Sequence, residues 1–149
     1  MKKFLFFVAT TLLLVACGNS GKDYVFYQGV TGSSGANCHT FEYNVNPDTL
    51  SINGVAEGDS SLVTLKLSFG IREDGQEVKP FEKPWGVHIH GRDTADDVEF
   101  ELDANEADMD PLMKLKSGET AEVTFTGKVL TADLEKLNGQ KAWTSVIMR

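Results

Sequence analysis

The chain has 149 residues, with 22 acidic against 14 basic side chains and a formal net charge of −8. That is one domain's worth of sequence, long enough to build a single hydrophobic core. Its acidity argues against nucleic acid, whose phosphates call for neutralising Lys and Arg, and against electrostatic adsorption to anionic lipid.

Lys2 and Lys3 give the chain a charged start, and Phe4 to Val15 is an almost unbroken apolar run ending at Ala16 and Cys17. As a helix the run would be roughly 18 Å long, whereas spanning a bilayer takes about 20 residues, so it reads as the apolar region of a signal peptide rather than a permanent span. Leu14-Val15-Ala16-Cys17 resembles the lipobox of bacterial lipoproteins. The resemblance implies that residues 1–16 are a signal peptide cut before Cys17, that the Cys17 thiol carries diacylglycerol, and that the new amine is often acylated as well. Each buried methylene contributes about 0.8 kcal/mol, so two or three fatty chains anchor stably where one holds marginally. Loss of Lys2 and Lys3 would take the net charge from −8 to −10, leaving the membrane association to the lipid. Residue 18 is glycine and not aspartate, which under the sorting rule of enterobacterial lipoproteins favours the outer membrane. The sequence leaves open whether the domain faces the periplasm or the exterior.

Residues 17–23 read as the lipidated cysteine and a short polar tether, and residues 24–149 as one domain. With Cys17 committed to lipid, Cys38 is the remaining cysteine. The mature domain is therefore expected to lack an intrachain disulfide and to bury that thiol, as free cysteines commonly are.

From Tyr24 onward the dominant pattern has period two, as half-buried strands do. Its clearest stretch places Val63, Leu65, Leu67, Phe69 and Ile71 on one face and Thr64, Lys66, Ser68, Gly70 and Arg72 on the other. Shorter alternations fall at Phe41-Tyr43-Val45, Val98-Phe100-Leu102 and Ala121-Val123-Phe125. Turn signals separate them at Asn46-Pro47-Asp48, Asn53-Gly54, Glu57-Gly58-Asp59, Asp74-Gly75 and Ser117-Gly118. Gly29 to Asn37 reads as a flexible loop. Thr131 to Asn138, with Thr131 as a cap, Leu134 and Leu137 on one face and Gly139 as a stop, predicts a short helix, and Ala142 to Met148 a last strand.

About eight strands and one short helix suggest two packed antiparallel sheets, an immunoglobulin-like β-sandwich or a related barrel. The sandwich is the expectation carried forward. The amphipathic strand into an acidic-Gly turn at Val63 to Gly75, and the Leu115-Lys116-Ser117-Gly118-Glu119 corner leading to Phe125, resemble extracytoplasmic β-sandwich domains of bacterial lipoproteins. Such domains mostly serve as binding or assembly modules; here Ser117 stands where their corner usually has proline.

Side chains with chemistry are few. On an extended strand His88 and His90 share a face about 6.6 Å apart, and two imidazoles so placed can hold zinc or copper, with Asp93 or His39 as further ligands; the alternative is a pair of solvent-facing histidines. Cys38 and His39 are strand neighbours that would point to opposite faces, which argues against a thiol nucleophile and its base. Asp103, Asn105, Glu106, Asp108 and Asp110 offer oxygen ligands suited to calcium but lack the spacing of an EF-hand loop, and read as a solvated acidic loop. Phe81 and Trp85, set between Pro80 and Pro84, are candidates for partner contact or for the rim of the core. The expected function is that of a non-enzymatic, membrane-anchored module binding a protein or envelope component. The alternative is a metal-binding envelope protein using His88 and His90.

Overall fold

The computed structural model describes residues 21–34, 41–44, 49–71, 83–116 and 118–148. Eight strands form there: β1 (Lys22–Ser34), β2 (Phe41–Asn44), β3 (Thr49–Glu57), β4 (Ser60–Ile71), β5 (Pro84–Arg92), β6 (Glu99–Ala104), β7 (Thr120–Leu130) and β8 (Lys141–Met148). Two short helices, α1 (Met109–Met113) and α2 (Thr131–Leu137), and 3-10 turns at Asp93–Ala95 and Glu106–Asp108 complete the described elements.

A strand sends successive side chains to opposite faces, and the apolar alternation selects which row goes inside. On β4 the buried row is Val63, Leu65, Leu67 and Phe69, with Lys66 on the exposed side, as the alternation predicts. Tyr24 and Phe26 on β1, Leu50 and Ile52 on β3, Val87 and Ile89 on β5, Val123, Phe125 and Val129 on β7, and Ala142 and Val146 on β8 supply the other inward rows.

Pairing runs β4-β3-β1-β8-β5-β6-β7 and returns from β7 to β4, so seven strands close a ring, with β2 added along the end of β4. All contacts are antiparallel except β1 with β8, which is parallel from Tyr27↔Lys141 to Ser34↔Ile147. The molecule is thus a closed mixed β-barrel, not the antiparallel immunoglobulin-like β-sandwich expected from the sequence. Two pairings make the difference. The long β4 pairs with β7 from Ser60↔Leu130 to Gly70↔Thr120 while its other edge is shared by β3 and β2, and β1 docks in parallel on β8. Those contacts use up the edges that two separate sheets would leave. Alternation reports one dry and one wet face, which sandwich and barrel strands share.

The barrel interior is filled by its own side chains. Phe26, Phe69, Phe125, Ile52, Leu65, Ile89 and Leu102 are each under 2% exposed, and each such side chain contributes about 1.5–3 kcal/mol by leaving water. One end is closed by Leu134 and Leu137 of α2, the other by Leu112 of α1 and the following Leu115. The interior is therefore a packed core.

Local chemistry corrects three further expectations. Asn53-Gly54 is not a turn but lies within β3, where Gly54 faces inward and a β-carbon would sit 3.1 Å from Tyr24 Cε2. The hairpin turn is Glu57-Gly58-Asp59, with Gly58 at φ +64°. Helix α2 forms as predicted and gives way at Gly139, φ +76°, but Thr131 does not cap it; its hydroxyl instead hydrogen-bonds the buried Ser61 hydroxyl at 2.8 Å. Strand β1 begins at Lys22, so Lys22 and Asp23 belong to the sheet and not to the tether.

Strand directions give the barrel two distinct ends. At the near end lie the start of β1, the β3–β4 hairpin, the Asp93–Ala95 turn and α2. Backbone ties hold it together, with Thr131 N–H donating to Asp59 O at 2.9 Å and Gly139 N–H to Val25 O at 2.6 Å. Lys22 pairs with Glu135 at 2.6 Å, which raises the ammonium's pKa, and Lys136 pairs with Asp97, which holds that carboxyl below the usual range. The far end gathers the ends of β1 and β4, the starts of β3 and β5, and the α1 region between β6 and β7.

Candidate functional site

His88 and His90 project outward from β5, as predicted, with ring centroids 6.4 Å apart and planes inclined at 37°. Across the strand pair they face Glu101 and Glu99 respectively. His88 Nε2–H donates to Glu99 Oε1 at 2.7 Å, and His90 Nε2–H to the Asp96 carbonyl at 3.3 Å. An imidazole nitrogen that donates its proton has no lone pair for a metal, so both Nε2 atoms are engaged elsewhere in this arrangement. The His90 ring also meets Trp143 edge-on at 6.2 Å, and the Arg92 guanidinium lies 5.7 Å from the Trp143 ring centre.

Among the described residues, no three His, Cys, Asp or Glu side chains form a group able to hold a metal ion. Asp93, expected as a further ligand, sits in a left-handed conformation at φ 61° and lines a separate cleft of about 480 Å³ with Tyr27, Arg92 and Lys141. His39, Cys38, Phe81 and the Cys17 lipobox lie outside the described residues.

The acidic cluster divides into two roles. Asn105 accepts from Ala107 N–H at 3.2 Å, and Asp108 Oδ2 accepts from Thr124 N–H at 2.8 Å, so these two fasten the connection to itself and to β7. Asp103, Glu106 and Asp110 instead line a cleft of about 590 Å³ together with Lys83, Pro84, Trp85, Ala104 and Met109. Trp85 is there because the β5–β8 register shifts between Pro84 and Gly86, which turns the indole outward; it is 51% exposed. The pairing Gly86↔Asp103 then sets the carboxylates beside it.

The sequence marks Trp85 and the acidic run separately. What it does not reveal is that β5 and β6 bring them to one cleft. It also passes over Trp143 and Tyr27, exposed at 46% and 49% on the outer wall; their signal is position, since each alternates with inward residues of its strand. No protein-family model, no curated protein and no solved structure matches the chain. Its class is accordingly set by geometry: a filled barrel whose accessible chemistry lies on its outer wall and far rim.

Proposed function

We propose that the chain is a lipid-anchored envelope protein, held through Cys17, whose barrel acts as a non-enzymatic binding module for a protein or other envelope component. The observation that carries the binding half is the packed interior combined with the Trp85 cleft at the far rim. The anchoring half rests on Leu14-Val15-Ala16-Cys17 and on the polarity of the barrel. Only residues 18–21 separate Cys17 from Lys22, at most roughly 18 Å when extended, and Lys22 opens β1 at the near end. A lipid on Cys17 would therefore keep the near end by the bilayer and turn the far rim away from it. No helix among the described residues is long and apolar enough to cross a membrane, so in this reading the lipid is the anchor, and Gly18 favours the outer membrane.

The deciding experiment replaces Cys17 with serine and labels cells with a fatty-acid probe. The expected result is loss of label and release from the membrane fraction; an undiminished label would overturn the lipoprotein reading. The second reading, a metal-binding envelope protein, draws on the shared face of His88 and His90 and is separated from the first by zinc and copper titration.

A further inference from the structure

We infer that the near-end outer wall of β3, β4 and β7, bearing Val55, Leu62 and Leu130, rests on the bilayer that holds the Cys17 lipid. The inference rests on the lipoprotein reading and names the surface that the barrel turns to the membrane. Leu62 is 50% and Leu130 53% exposed, and Val55 is half-buried. Register makes them neighbours: Val55 stands opposite Leu62, Leu62 opposite Lys128, and Leu130 is the next outward position beyond Lys128.

These three strands carry four charged residues, Glu57, Lys66, Glu122 and Lys128. The four pair off, Lys128 with Glu57 at 3.8 Å and Lys66 with Glu122 at 3.7 Å. The wall is thus neutral in a chain of net charge −8, with Asp59 at the hairpin tip bordering it. Anionic headgroups repel an acidic surface but not this wall, and leucines that enter the boundary between headgroups and acyl chains leave water. The tether leaves the barrel at the same place. Lys22 pairs with Gly54, and a β-carbon on Gly21 would lie 3.1 Å from Val55 Cγ2, so the chain enters β1 against the edge of this patch. Strands β4 and β7 lie two and three strand spacings from β1, roughly 10 and 14 Å. Both fall within the roughly 18 Å that residues 18–21 allow between Cys17 and Lys22. The lipid and the leucines can therefore enter one bilayer together, and the high effective concentration set by so short a tether lets a small apolar patch hold. Tyr27 and Trp143, exposed on other strands, are instead set among polar partners: Tyr27 lines the cleft with Arg92 and Asp93, and Trp143 is met by His90 and Arg92.

The test expresses the full-length chain in cells and reconstitutes it in vesicles of equimolar phosphatidylcholine and phosphatidylglycerol, with and without brominated acyl chains. Trp85 and Trp143 are the chain's two tryptophans. In a Trp85→Phe/Trp143→Phe background, Leu62→Trp or Leu130→Trp supplies a single reporter on the proposed face. Parallel chains carrying Trp85→Phe or Trp143→Phe alone report from β8 and from the far rim. The expected result is emission at shorter wavelength for positions 62 and 130, and quenching by brominated lipid about threefold or more above that of Trp143 and Trp85. Adding Leu130→Asp to the Leu62→Trp chain should lower its quenching about twofold or more. Leu62 and Leu130 are both half-exposed, and unchanged melting of the variants in detergent checks that the fold is intact. The inference is overturned by equal quenching at all four positions, or by stronger quenching of Trp143. A shift in emission without bromine quenching, accompanied by crosslinked dimers, would assign the wall to a second copy and overturn it too. The fatty-acid label, read on the same samples, separates the two readings: a labelled chain with position 62 unquenched keeps the lipoprotein reading and sinks this inference, and an unlabelled chain sinks both.

Discussion

Leu67 and Lys66 are neighbours on β4 in opposite surroundings, and a carboxylate introduced at each tests which face of the strand is inside. Leu67 is 2% exposed and stands opposite Val123 in a row with Leu65 and Phe69. Leu67→Asp forfeits about 2–3 kcal/mol of apolar burial. It also places a charge with no partner in the core, at a further several kcal/mol. Together these amount to about 5 kcal/mol or more against a total stability of about 5–15 kcal/mol for a domain. Lys66 faces Thr124, and its ammonium lies 3.7 Å from Glu122 with both side chains about 60% exposed. Lys66→Asp removes a contact of about 0.2–1 kcal/mol and adds a modest like-charge repulsion. Urea unfolding followed by tryptophan fluorescence and circular dichroism should find Leu67→Asp largely unfolded without denaturant and Lys66→Asp close to the parent. Equal midpoints for the two variants would refute the inward row of β4.

Gly91→Ala should destabilise the fold by about 1–3 kcal/mol, because a β-carbon there would lie 1.8 Å from the Ala95 carbonyl oxygen, a backbone atom that cannot swing aside. A melting temperature within a degree of the parent would contradict that packing. Chelator-stripped protein is expected to show no rise in melting temperature with zinc or copper. A metal bound through His88 and His90 at 100 times its dissociation constant would add about 2.7 kcal/mol, a shift of several degrees. A rise of that size that disappears in the His88→Ala/His90→Ala double variant would put the metal reading first.

The local content of the fold was legible because it depends on periodicity and on turn chemistry. Val63 to Phe69 announced their face, Gly58 its turn, and Leu134, Leu137 and Gly139 their helix. Architecture was not legible, because the pairings that close the barrel join β4 to β7 and β1 to β8 across long stretches of chain. A period-two pattern carries no label for its neighbour. Gly54 illustrates the same limit, since Asn-Gly is a strong turn signal yet this glycine is small to accommodate the Tyr24 ring. For the candidate sites, the shared face of the two histidines follows from strand geometry alone. Their engagement with Glu99 and the Asp96 carbonyl does not, because it depends on how the turn after β5 folds back.

The same reasoning explains why the cleft lies where it does. Strands β6 and β7 pair only at Asp103↔Thr126 and Ala104↔Phe125, against a continuous run from Ser60 to Gly70 on the other edge of β7. Asp103 therefore serves both the closing pair of the barrel and the rim of the cleft. The chain that follows is fastened to β7 by Asn105 N–H donating to Thr124 O at 2.8 Å and by Thr124 N–H donating to Asp108 at 2.8 Å. Leu112 and Leu115 then bury themselves over the barrel end. Asp103, Glu106 and Asp110 are thus carried on short elements that β7 and the barrel end hold in place.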